Sequence, residues 1–249
     1  MIRVIVSGGL GRMGSKVVEA VKGAEDMDLV GILEQKEGKV GDVKVYKNID
    51  DVIELCDVVV EFSTPEATIS HVNVLRRSGK AMVIGTTGFS DSQVDEIRDA
   101  SVNIPILLSP NMSWGANVMA KLAGLLSNML EGYDIEVVEF HHKFKKDAPS
   151  GTAKLLVDTV KQDDSEIVYG RKGYSLRKRG EIGVHSLRGG DVVGEHKLIW
   201  AGTGERIELT HIVWDRNAFA YGTLKAIRFI STRPAGLYSP RDMFEEVEE

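Results

Sequence analysis

Short apolar runs alternate with stretches of helical spacing through the first part of the chain. Ile2-Arg3-Val4-Ile5-Val6, Leu29-Val30-Gly31-Ile32-Leu33, residues 57–62, Ala81-Met82-Val83-Ile84 and Ile104-Pro105-Ile106-Leu107-Leu108 read as buried strands. Helix-like runs fall between them, up to about Val21, from Glu66 to Arg77 and from about Ser90 to Ala100. This alternation predicts an α/β domain with a parallel, doubly wound sheet. Such sheets bind ligands beyond the carboxyl ends of their strands. Ser63-Thr64-Pro65, Gly85-Thr86-Thr87-Gly88 and Ser109-Pro110-Asn111-Met112-Ser113 fall at those ends. Strand termination is the other role open to these turns.

The pattern changes near residue 112. Val118, Met119, Leu122, Leu125, Leu126 and Met129 lie at helical spacing, and the methionines read as packing. Ile135-Glu136-Val137-Val138 reads as a strand and 153–160 as a helix. Residues 164–194, rich in glycine and charge, read as a solvated loop, whose basic cluster (Arg171, Lys172, Arg177, Lys178, Arg179) is also the one place that suggests nucleic acid. Glu195 to Trp200 and Glu205 to Val213 follow as strands. The second puts Ile207, Leu209, His211 and Val213 on one face, with His211 in a structural role. Residues 217–230 predict an amphipathic helix, and the tail Glu245-Glu246-Val247-Glu248-Glu249 a frayed end.

Composition narrows the class. The chain has 249 residues, 43% hydrophobic and 27% charged, which suits one large or two modest domains and argues against disorder. Its net charge of -6 opposes attraction to nucleic acid or an anionic membrane. A single cysteine, Cys56, beside an apolar run, excludes an intrachain disulfide and weakens any thiol-based chemistry. With no leader-like or membrane-length apolar run and no metal motif, the expectation is a cytoplasmic protein without a metal.

Two stretches carry chemistry. Gly8-Gly9-Leu10-Gly11-Arg12-Met13-Gly14 joins the first strand to the first helix, and residues 9–14 fit G-x-G-x-x-G. Glycines let the backbone approach a pyrophosphate, and the helix N-terminus complements its charge. Glu34 ends the second strand, 20 residues beyond Gly14, at the spacing of an acid that binds the adenosine ribose. The second stretch runs from Glu139 to Ala153 and holds His141, His142, Lys143, Lys145, Lys146 and a Pro149-Ser150-Gly151-Thr152 turn where a helix begins. Histidine donates protons near neutrality, lysine supplies positive charge, and free N–H groups at the helix start receive an anion. Together they suggest a carboxylate substrate that is protonated during reaction. A solvated basic loop ending in an ordinary helix cap is the alternative.

The string E-x-H-H-x-x-K-x-D-A-P-S-G-T-A resembles the signature of the 4-hydroxy-tetrahydrodipicolinate reductase family, also called dihydrodipicolinate reductase. The likeness runs end to end. Residues 8–14 resemble the family's opening G-x-x-G-R-M-G; 62–65, 85–88 and 109–113 resemble its cofactor-side loops, so that Gly85, Thr86, Thr87, Ser109, Pro110, Asn111 and Met112 are implied to bind cofactor; 189–196 and 204–206 resemble its substrate-domain motifs. The resemblance implies NADH or NADPH as cofactor, a homotetramer, and a place in the diaminopimelate route to lysine. It also implies a Rossmann domain (1–112, completed by 217–249) and a central mixed α/β domain (113–216) for substrate binding and tetramerisation. Gln35 stands where many members have a basic residue, with Lys36 after it, which leaves the coenzyme open; Phe144 replaces a commonly polar residue.

The implied reaction is loss of the ring hydroxyl as water, hydride addition, and protonation of the neighbouring carbon of a cyclic dicarboxylate. Gly151 and Thr152 N–H groups, with His142 and Lys145, would hold the carboxylates; His141 would donate the proton, and Lys145 would supply positive charge. Two competing readings are another two-domain Rossmann dehydrogenase, acting on an amino or hydroxy acid, and a nucleotide-sensing regulator using the basic cluster.

Overall fold

The computed structural model describes residues 1–35 and 38–247; Lys36, Glu248 and Glu249 lie outside them. The chain divides into two compact units, one of residues up to Trp114 together with those from Arg216 on, the other Gly115–Asp215.

The first unit is built on an eight-stranded sheet. Its elements in chain order are β1 (Ile2–Ser7), α1 (Gly14–Lys22), β2 (Met27–Leu33), β3 (Gly38–Val40), β4 (Val43–Tyr46), β5 (Val58–Glu61), α2 (Pro65–Ser78), β6 (Ala81–Ile84), α3 (Asp91–Ser101) and β7 (Pro105–Leu108). The second unit follows with α4 (Trp114–Met129), β8 (Asp134–His141), α5 (Gly151–Val160), β9 (Glu166–Tyr169), β10 (Glu181–Arg188), β11 (Gly194–Ala201) and β12 (Arg206–Val213). The chain then returns to the first unit with α6 (Asn217–Ile230) and β13 (Gly236–Tyr238). Strand order in the first sheet is β13-β7-β6-β5-β1-β2-β4-β3, parallel except for the β3–β4 pair. The chain leaves β1 toward β2 on one side and returns to β5 on the other, so β1 ends at the point where strand order reverses. That is the ligand crevice of a Rossmann fold. β1, β5 and β6 are apolar nearly throughout because helices cover both faces, with α1 and α6 over one core and α2 and α3 over the other. Cys56 lies in the second of these cores, where burial pushes its thiol up to about 12. It is a packing residue, not a nucleophile.

The second unit is a mixed five-stranded sheet in the order β12-β11-β8-β10-β9. One face carries Val137, Ile182, Val184, Leu198 and Trp200 against α4 and α5. The segment expected to be a loop, 164–194, contains β9 and β10, and β10 lies inside the sheet beside β8. Its sequence hides this because Gly183 and Ser186 interrupt the strand pattern. A Cβ at Gly183 would sit 1.7 Å from a Glu136 carboxylate oxygen, so this glycine makes room for a cross-strand acid. That acid pairs with Arg177, as Arg171 does with Glu181 and Lys178 with Glu166 (3.2 Å). Much of the basic cluster is therefore paired with acids of β8, β9 and β10. The expected role of α4's large residues also needs correction. Met119 is buried, but Met129 is 79% exposed and Leu122 and Leu125 face outward. Ala116, Ala120, Ala123 and Ser127 face inward instead, where small side chains let the helix approach the large Trp200; its indole N–H donates to Ser127 Oγ at 3.1 Å.

Candidate active site

At the end of β1 the backbone turns at Gly8, with φ +69°. A Cβ there would lie 2.5 Å from the Phe62 carbonyl oxygen, and one at Gly14 would lie 2.0 Å from the Gly8 carbonyl oxygen. Gly11 N–H donates to Gly8 O at 2.9 Å and closes the turn. The glycines at 8, 11 and 14 thus carry the turn geometry, while Gly9 packs on Ile32. α1 starts without a side-chain cap, and in its first turn Ser15 N–H donates to Gly11 O at 3.0 Å. Leu10 and Arg12 are exposed, Met13 is half-buried, and Glu34 accepts a hydrogen bond from Leu10 N–H at 2.9 Å. The acid and the glycine loop are therefore in contact, the fit that a dinucleotide's pyrophosphate and ribose demand. Gln35 is exposed next to them.

The later turns gather around a buried polar network. Glu61, fully buried at the end of β5, accepts from Ser63 Oγ and bonds His71 Nδ1, both at 2.6 Å. Thr68 Oγ1 shares a hydrogen bond with Thr86 Oγ1 at 3.1 Å, joining the β5 turn to Gly85-Thr86-Thr87. Gly85 has no side chain because the Phe62 ring lies 2.4 Å from its Cβ position. Ser109 Oγ donates to Asn111 O at 2.8 Å, and Asn111 Oδ1 accepts from Ser113 N–H at 2.8 Å. Met112 is buried in the core with its carbonyl against Gly222, and Pro110 is exposed. The Glu61–His71 network has no sequence motif that flags it.

In the second unit β8 alternates, so Val137, Glu139 and His141 point to the helix-covered face. Glu139 is fully buried and saturated. It receives Arg188 in bidentate form (2.8 Å to each oxygen), His141 Nδ1 at 2.5 Å and the Ser150 N–H at 3.2 Å. Burial alone would raise this carboxyl, but hydrogen bonds from Arg188, Ser186 and His141 outweigh burial and hold it at about 2. The charge is therefore fixed. His141 is lowered from its ordinary value by burial, against the pull of Glu139 and with the help of Lys145 and Arg188. With Nδ1 bound, the ring presents Nε2, which lies 3.2 Å from the Cβ position of Gly194. Any side chain at 194 would crowd that nitrogen.

The turn after β8 brings the other predicted residues to the same end of the sheet. Lys145 pairs with Asp147 at 2.9 Å, and its N–H closes a turn on His142 O. His142 Nδ1 is buried without a partner among the described residues. Ser150 caps α5, accepting from Ala153 N–H at 3.2 Å. Gly151 is exposed with nothing within 4 Å of its Cβ position, and Thr152 is buried. So the start of α5, capped by Ser150 and with room at Gly151, follows His142 and Lys145 in the same β8–α5 connection. Sequence reasoning assigned no role to Glu139, Arg188 or His196. The i, i+2 spacing of Glu139 and His141 on a strand was the available signal for the first. Arg188 was out of reach because its strand was unrecognised.

A family profile described as "Dihydrodipicolinate reductase, N-terminus" matches residues 2–112, and one described as "Dihydrodipicolinate reductase, C-terminus" matches 115–244. The chain belongs to the dihydrodipicolinate reductase family. A 4-hydroxy-tetrahydrodipicolinate reductase of Aquifex aeolicus (strain VF5) is 40% identical, over 97% of this chain and 98% of that one. Its counterpart in Methanocaldococcus jannaschii is also 40% identical, over 98% and 97%. A solved dipicolinate-bound dihydrodipicolinate reductase from Paenisporosarcina sp. TG-14 superposes with TM-score 0.81 at 28% identity, covering 96% of this chain and 97% of that one. Glu139 and the capped start of α5 lie within the part of the chain that matches the family's C-terminal profile.

Proposed function

We propose that the protein reduces 4-hydroxy-tetrahydrodipicolinate to tetrahydrodipicolinate with NAD(P)H and loss of water, in the diaminopimelate route of lysine biosynthesis. The observation that carries this is that His141 and the α5 cap Ser150 both bond one fixed carboxylate, Glu139, with the charge of Lys145 felt at His141. The nicotinamide supplies hydride when bound. The α5 N–H groups of Gly151 and Thr152, with His142, receive the ring carboxylates, and Lys145 exchanges Asp147 for one of them. That negative charge favours a protonated imidazole and offsets the effect of burial on His141. Nε2 then donates its proton to the ring carbon beside the one that receives hydride, while Glu139 holds Nδ1 and keeps the ring oriented. Residues 1–112 with 217–249 serve as the dinucleotide domain and 113–216 as the substrate domain. The protein works in the cytoplasm as a homotetramer. The sheet face opposite α4 and α5, with Val138, Phe140, Ile199 and Ile212, supports subunit association. A coupled assay tests the activity: a synthase condenses pyruvate with aspartate semialdehyde, and loss of nicotinamide absorbance is followed. No loss with either coenzyme would defeat the proposal.

For the coenzyme, Glu34 beside the glycine loop repels a 2′-phosphate, while Gln35 adds no charge. Both coenzymes serve, with NADH equal or modestly better. Gln35→Arg shifts kcat/KM toward NADPH by about tenfold, the worth of one charge-assisted hydrogen bond. An unchanged ratio would mean that position 35 does not meet the ribose.

A further inference from the structure

We propose that His196 is a positioning residue for the substrate dicarboxylate, acting through the Ser150 hydroxyl. The proposal rests on the reading of the site given above. His196 and Ser150 are both buried, 4% and 2% exposed, and His196 Nε2 lies 3.0 Å from Ser150 Oγ. A hydroxyl has one proton and two lone pairs. Ser150 Oγ already accepts from Ala153 N–H, so His196 decides what becomes of the rest. If Ser150 donates to Nε2, the imidazole proton sits on Nδ1. That nitrogen is buried without a partner among the described residues. An orphaned N–H is rarer in folded proteins than an under-satisfied acceptor. If instead Nε2–H donates to Ser150, only a bare lone pair is orphaned at Nδ1. Ser150 Oγ then accepts twice, and its own proton is free to point at the α5 mouth, where Gly151 leaves open space. An arriving carboxylate is its acceptor.

The ring is well placed for this task. It meets the His141 ring edge-on, with centroids 5.2 Å apart, and stands directly opposite His211 in the sheet. Burial first, and the neighbouring His141 next, push it down to about 3, so it stays neutral at working pH and keeps one proton and one lone pair. Buried and bonded to Ser150, it acts on a ligand through that hydroxyl.

The test uses the full-length chain, titrated calorimetrically with dipicolinate and assayed for turnover. His196→Leu removes the donor and should weaken dipicolinate binding and raise substrate KM about tenfold, with kcat changed much less. His196→Gln restores an N–H donor and should recover most of the loss. Ser150→Ala should show the same defect, and His196→Leu should add nothing to it. Imidazole nitrogen shifts of the wild-type protein should show the His196 proton on Nε2. Additive losses in the double variant, no recovery in His196→Gln, or a proton on Nδ1 in the dipicolinate complex would overturn the proposal. The nitrogen shifts decide the matter even if His196→Leu fails to fold. If the wild type binds dipicolinate without turning over substrate, the reductase reading fails while the binding tests of His196 still stand.

Discussion

Each unit has a fully buried glutamate toward the carboxyl end of a strand, and each of these glutamates holds a histidine. Glu61, at the end of β5, is met by His71 and by the hydroxyls of Ser63 and Thr68. Glu139, two residues from the end of β8, is met by His141, a bidentate Arg188 and a backbone N–H. A buried carboxylate must be compensated, because desolvating a charge costs several kcal/mol per ion. In the second unit the guanidinium does this, so His141 is spared from charge balance and its outer nitrogen is available for chemistry. In the first unit His71 is the one ionisable partner that the hydrogen bonds give Glu61, and it is committed to the fold. The two pairs look alike as Glu–His hydrogen bonds and differ in what stands behind the carboxylate.

The largest expected effect separates activity from stability. His141→Gln should lower turnover by about 10²–10⁴-fold and leave NADH affinity, followed by fluorescence titration, near wild type. Near-normal turnover would remove His141 as the proton donor and with it the contrast between the pairs.

Next comes the group that frees it. Arg188→Met leaves Glu139 without its bidentate partner in a site shielded from water, and should cost about 3–5 kcal/mol in urea unfolding. A loss below about 1 kcal/mol would mean that His141 and the Ser150 N–H suffice, contrary to the role given to the guanidinium.

The histidines can then be compared directly. His71→Leu should destabilise by about 1–3 kcal/mol, and His141→Leu by less than about 1 kcal/mol, since Arg188 still holds Glu139. The opposite order in matched urea titrations would sink the comparison.

The smallest effect is read through pH. Folded His196 takes up its proton only near 3, against 6.5 in the unfolded chain. Between those values the unfolded chain binds more protons, so stability falls as pH drops below 6.5. Glu139 has the same sign at lower pH: at about 2 folded against 4.5 unfolded, it contributes stability that is whole above pH 4.5 and lost toward pH 2. Losses between pH 6.5 and 4.5 therefore belong to histidines. His196→Gln should flatten that limb by up to about 1.4 kcal/mol per pH unit. An equal slope in the variant would place the uptake elsewhere.

Much of this was legible in the chain. Apolar runs of four to seven residues between helical stretches marked β1, β2, β5, β6 and β7, because strands buried on both faces have little reason to alternate. The glycine loop and the 139–153 string were legible because their chemistry is local: a turn, a helix start, and neighbouring polar side chains. β10 was not, since its glycine answers to Glu136 on another strand. Nor was the inward face of α4. Leucines and alanines at helical spacing describe two stripes, and only the bulk of Trp200 and the approach of the sheet select the small one.

The sequence by itself determined the two-part α/β pattern, the glycine turn with Glu34 at the end of the next strand, and the string of residues proposed to receive a carboxylate substrate. These depend on periodicity and on neighbours along the chain, which any reader of the sequence has in hand. Only the tertiary structure decided which of those residues carries a free nitrogen. Arg188 reaches Glu139 from 49 positions away, and Ser150 meets His196 from 46. Such contacts exist because parallel and antiparallel strands bring distant residues into register. Electrostatic compensation acts through space, so the role of a histidine two residues from a glutamate is set by a guanidinium that the local sequence does not contain.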